Sequence, residues 1–106
     1  MIKLNSHEKE IMAIAKSSLG ITSSVMDERL GVLTRAAIEE LASDYKVILN
    51  PASVAHSVFV ADWVEWRYLN RDNNVGMPRH LDYRLKTLFL KGLVKRREVR
   101  KQQQTD

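Results

Sequence analysis

The apolar positions of the chain fall into four stretches with helical spacing, separated by short polar or glycine-bearing segments. In the first, Ile11, Ile14 and Ala15 make a stripe flanked by Leu4 and Leu19. Asn5 stands three residues before Glu8, the spacing at which each side chain satisfies the other's free backbone N–H. Leu19-Gly20-Ile21 predicts the stop, because glycine takes the left-handed conformation that closes a helix and Ile21 folds back onto the last turn. A second helix is predicted from near Thr22–Ser24, with Met26, Leu30, Leu33, Ala37 and Leu41 on one face. Asp27 and Glu28 suit its positive end. Arg35 and Glu39, one turn apart on the opposite side, read as a solvated face.

After Asp44-Tyr45 the run Lys46-Val47-Ile48-Leu49 is either an extended connector or a short strand. Asn50-Pro51 predicts a third helix over 51 to about 70, with asparagine as cap and proline in the first turn. From Ala52 to Val64 it is apolar nearly all round, so it belongs at the centre. Asn70–Gly76 reads as a loop. Pro78 opens a fourth helix with Leu81, Leu85, Leu88 and Phe89 inward and Arg79, Tyr83 and Lys86 on another side. Gly92 is expected to end it, and Leu93-Val94 either continues the helix or pairs with the Val47–Leu49 run. The expected fold is all-α: a compact bundle of about four helices over residues 1–92, with a basic, flexible C-terminal tail over 93–106.

Composition narrows the class further. At 106 residues the chain is one domain, too short for a doubly wound cofactor enzyme. Without cysteine it has neither disulfides nor thiolate zinc ligands. Its net charge of +4 is unevenly placed. Residues 1–90 hold eleven basic and eleven acidic side chains. The last sixteen residues hold Lys91, Lys95, Arg96, Arg97, Arg100 and Lys101 against Glu98 and Asp106. That segment is either a solvated, solubilising tail or one that docks on phosphates or an acidic surface. The N-terminus reads as charged where a signal peptide would be apolar, and no apolar run reaches membrane-spanning length, so a cytosol-like compartment and no membrane contact are expected.

No catalytic, cofactor or metal constellation is assigned, and a non-enzymatic role is expected. His7 and Glu10 lack the second carboxylate–histidine pair of a helical di-metal site. His56 lies more than one helical turn from Asp62, poor geometry for a dyad, and reads as a core or subunit-contact histidine. His80 and Asp82 point to different sides of one helix. Asp62 and Glu65 interrupt an apolar helix. They pair with Arg67 or Arg84 inside the chain, or they face a neighbouring subunit, which makes Asp62, Glu65 and Arg67 candidates for core or subunit ion pairing. Trp63, Trp66 and Tyr68 on the same helix suit a core, with part of the set suited to an interface. The stretch Ala15–Val25 has some likeness to helix-turn-helix. Its glycine comes one residue late, and Asp27 and Glu28 would meet phosphates at close range. A small DNA-binding regulator is nonetheless the alternative function.

Three stretches together resemble a known family. Leu19-Gly20-Ile21-Thr22-Ser23-Ser24 precedes Asp27-Glu28-Arg29-Leu30 and, further on, Ala36-Ala37-Ile38-Glu39-Glu40-Leu41. Val60 to Asp72 is an apolar helix ending in an aromatic, Arg/Asp-rich stretch, and Met77-Pro78-Arg79-His80-Leu81 with Arg84-Leu85 opens the last helix. In order and spacing, over residues 10–92, these resemble the head–tail connector (adaptor, head-completion or DNA-packaging) proteins of tailed bacteriophages. The resemblance implies a small helical virion protein without enzymatic activity or cofactor. It would be made in the bacterial host cytoplasm and would self-associate, either free or only on the portal as template, with a monomeric free form as the second alternative. Under the portal it would assemble as a ring of about a dozen copies, extending the DNA channel and meeting a tail or stopper protein. The basic ending departs from many relatives. For Lys91, Lys95, Arg96, Arg97, Arg100 and Lys101 it leaves portal docking and nonspecific DNA contact both open.

Overall fold

The computed structural model describes residues 3–72 and 76–104, with side chains through Lys91. It contains four helices and, among the described residues, no strand: α1 Ser6–Leu19, α2 Asp27–Ser43, α3 Val54–Leu69 and α4 Arg79–Gln104. The all-α class and the helical bundle are as the hydrophobic pattern predicts.

The ends of α1 follow from local chemistry. The Glu8 N–H donates to Asn5 Oδ1 at 2.8 Å, and the Asn5 N–H donates to Glu8 Oε1 at 2.9 Å, completing a reciprocal cap. At the other end Gly20 sits at φ 74°, and the Ile21 N–H donates to the Lys16 carbonyl at 2.9 Å. Helix α2 starts at Asp27, later than the Thr22–Ser24 candidates suggest, without a side-chain cap. Its acidic first turn is tied to α1 by Asp27 and Lys16, 2.6 Å apart.

Helix α3 starts at Val54 and not at Pro51. Asn50 Oδ1 accepts the Ala52 N–H at 3.0 Å and the Asn50 carbonyl accepts the Ser53 N–H at 3.0 Å, so Asn50-Pro51 makes a tight turn. Ser53 then caps the helix, its side chain accepting the His56 N–H. The run 46–49 is connector: Lys46 takes a left-handed φ of 56°, and Val47 inserts into the core with its N–H on the Leu41 carbonyl. Of the expected loop, residues 73–75 lie outside the described residues.

The core is centred on α3, as its all-round apolar sequence predicts. Phe59, Val60, Ala61, Trp63 and Val64 are buried, against Ile11 and Ala15 of α1 and Leu30, Ala37 and Leu41 of α2. Thr34 is also buried, its hydroxyl satisfied by the Leu30 carbonyl at 2.7 Å. Helices α1, α2 and α3 pack on one another in a triangle, whereas among the described residues α4 packs on α3 alone, through Leu81 and Leu85.

Helix α4 does not end at Gly92; it runs to Gln104. An internal glycine costs a helix about 1 kcal/mol relative to alanine, less than is needed to stop it where no proline follows. Leu93-Val94 thus takes the helical alternative. Twenty-six residues span about 39 Å. The molecule measures 55 × 29 × 20 Å, so this helix can lie only along its long axis. The radius of gyration, 15.5 Å, exceeds the roughly 13 Å of a rounded chain of this length for the same reason.

Candidate functional site

The polar residues that interrupt α3 are spread over three directions, and each ties α3 to a different helix. Asp62 Oδ2 accepts from Arg84 Nη1 of α4 at 2.6 Å. Arg84 is one of the two partners expected for it, and its guanidinium also lies 5.1 Å from the Phe59 ring centroid. Arg67 pairs with neither Asp62 nor Glu65. Its Nη2 donates to both carboxylate oxygens of Glu40 on α2, at 3.0 and 2.9 Å, while its guanidinium stacks 4.7 Å from the Trp66 centroid. Glu40 also accepts the buried Trp63 indole N–H at 3.0 Å. Glu65 accepts the Ser18 hydroxyl of α1 at 2.8 Å and meets no cation among the described residues. All three candidate residues are therefore engaged within the chain.

A fourth polar tie joins α1 to α2, and here the reading of Arg35 as part of a solvated face is corrected. Arg35 Nε donates to Glu8 Oε2 at 2.8 Å and its Nη2 to Glu8 Oε1 at 3.0 Å. Glu8 is buried, at 4% exposure, so its carboxylate serves both as the α1 cap and as the partner of Arg35. The Arg35 hydrogen bonds, outweighing the opposing effect of burial, hold its pKa down at about 2. The spacing to Arg35 gives no local clue to this pairing; only the crossing of α1 and α2 brings the two together.

The histidines do not converge. His56 Nδ1 accepts the Asn50 N–H at 2.8 Å, which anchors the turn before α3. His7 Nε2 lies 3.4 Å from the buried Ser57 hydroxyl, and His80 is exposed at the start of α4. Among the described residues no group of three or more histidine or acidic side chains is placed to hold a metal ion, and no helix is long and apolar enough to cross a membrane. The likeness to helix-turn-helix is not carried through, because residues 20–26 separate α1 from α2 where that motif uses a three- or four-residue turn.

One open cleft lies between the C-terminal half of α3 and the start of α4. It encloses about 370 Å³ and is lined by Asp62, Glu65, Trp66, Leu69, Pro78 and His80 among others. Leu69 at its side is 58% exposed, and the Trp66 indole N–H is buried without a hydrogen-bond partner among the described residues. Of the six candidate basic residues, Lys91 is exposed on α4. Lys95, Arg96, Arg97, Arg100 and Lys101 lie further along the same helix, their side chains outside the described residues. The cleft has no signature in the sequence, since it forms between the end of one helix and the start of the next.

Comparison with protein-family models, with curated proteins and with solved structures gave no match.

Proposed function

We propose that this protein is a structural head–tail connector of a tailed bacteriophage or prophage, assembling as a ring beneath the portal. The observation that carries the reading is where the resembling stretches fall. Leu19-Gly20-Ile21 closes α1, Asp27-Glu28-Arg29-Leu30 opens α2, and Met77-Pro78-Arg79 leads into α4. The apolar stretch from Val60 lies in the central helix, and at its aromatic end Arg67 stacks on Trp66 and donates to Glu40 of α2.

The architecture supports an assembly role by a second route. The polar groups of the body are used to tie helices together, and α4, which among the described residues packs on α3 alone, extends along the long axis. Such a helix offers its remaining surface to neighbouring subunits, and a contact between unlike surfaces repeated around an axis closes into a ring. Electron microscopy of the protein mixed with the portal from its own genome tests the reading. Rings stacked on the portal are expected, and portals that stay bare at saturating protein overturn it.

A further inference from the structure

We infer that the basic C-terminal stretch of α4 docks into the cleft between α3 and α4 of a second copy of the chain. The inference builds on the self-assembling reading above and names its contact. The cleft's chemistry suits a basic, partly apolar segment. Leu69 and Pro78 give it an apolar side, Asp62 lies on its wall against Arg84, and the Glu65 carboxylate has, among the described residues, only the Ser18 hydroxyl against it. The last sixteen residues offer the complement: six basic side chains interleaved with Leu93, Val94 and Val99. All of the chain's net positive charge resides there, while the body is neutral.

Geometry excludes the same copy as the source. The cleft sits at the N-terminal end of α4, beside Pro78 and His80, and the basic stretch lies further along that same helix. Lys95 to Lys101 is displaced from His80 by about 22–32 Å of continuous helix. A helix cannot fold back onto its own first turn, so a basic stretch seated in the cleft comes from another molecule. The contact joins two different surfaces, head to tail, and its repetition yields a ring or a filament.

The test uses full-length chains with single-surface changes. Glu65→Lys reverses the cleft and leaves the tail intact; Arg97→Ala with Arg100→Ala weakens the tail and leaves the cleft intact. Sedimentation of the wild-type chain at low salt should reveal self-association that weakens as salt is raised. Each variant alone should associate at least tenfold more weakly. An equimolar mixture of the two should give a discrete 1:1 pair and nothing larger, because only one productive contact is left. Glu65→Gln, which keeps an oxygen for Ser18, should weaken association less than Glu65→Lys, and circular dichroism should show each variant folded.

A wild-type chain that stays monomeric at about 1 mM, where even a millimolar contact is half formed, overturns the inference. So does a mixture of folded variants that stays monomeric. If the tail variant loses only portal or DNA binding while self-association is unchanged, the tail serves those partners and the inference falls. Rings that form on portals despite both sets of changes likewise defeat the inference and leave the connector reading standing. Bare portals together with the expected heterodimer do the reverse.

Discussion

The α1–α2–α3 triangle and the α4 appendage are built from the same kinds of residue, yet they differ in how those residues are enclosed. In the triangle every helix has two neighbours. Its main ion pair, Glu8–Arg35, has a carboxylate at 6% exposure that accepts from the guanidinium through both oxygens. Between α3 and α4 the corresponding pair, Asp62–Arg84, leaves both side chains 34% exposed, and among the described residues α4 contributes two buried residues, Leu81 and Leu85. Arg35 itself is 38% exposed, so the contrast lies in the carboxylates: a buried one stays out of water when its partner is lost, whereas a half-solvated one is rehydrated. The triangle should therefore fold as one cooperative unit, with α4 held less tightly.

The largest effect expected is that of Trp63→Ala. Trp63 is fully buried, bonded to Glu40 of α2 and edge-on to Tyr45 and Trp66 with centroids at 5.5 and 5.4 Å. Its loss should cost about 3–5 kcal/mol and leave Glu40 short of a donor, read as the urea-unfolding midpoint. Leu85→Ala should cost about 2–3 kcal/mol, with a different signature. Hydrogen exchange should accelerate in α4 while the amides of α1–α3 stay protected. Uniform acceleration across all four helices would erase the distinction between triangle and appendage.

Arg35→Ala comes next, at about 2 kcal/mol, because it strands a buried carboxylate that keeps only its backbone donor. The same pair sets an acid limit. The pKa of Glu8 is lowered from 4.5 to about 2 on folding, so the folded state binds fewer protons in that window. Its stabilisation is complete above pH 4.5 and is lost as pH falls toward 2. Urea midpoints of the wild type should drop between pH 5 and pH 2.5, and much less in Arg35→Ala. Arg84→Ala should cost the least, under about 1 kcal/mol, since its pair is half solvated. If it matched Arg35→Ala, the difference in enclosure would not be what separates the two regions.

Much of the body could be read from the chain. The cap at Asn5, the glycine stop at Gly20 and the apolar faces of α1 and α2 depend on residues within a turn or two of one another, and local rules suffice for them. The start of α3 departs from the Asn50-Pro51 expectation for a local reason too: Asn50-Pro51 serves a turn as readily as a helix cap, and Ser53 supplies the cap. Gly92 misled because a glycine weakens a helix without ending it, so α4 extends twelve residues further. At the candidate site, the sequence singled out Asp62, Glu65 and Arg67 as charges needing explanation and named Arg84 as one partner. It could not pair Arg67 with Glu40, or Glu8 with Arg35, since those contacts span 27 positions.

By itself, then, the sequence determined the four helices, the central place of α3 and the segregation of positive charge into the last sixteen residues, because periodicity and charge are properties of the chain read in order. The tertiary structure decided which charges meet, that among the described residues α4 packs on one helix only, and that a cleft opens between the end of α3 and the start of α4. Those features arise from how helix axes cross, and a crossing is set by the shapes of packed side chains from distant parts of the chain.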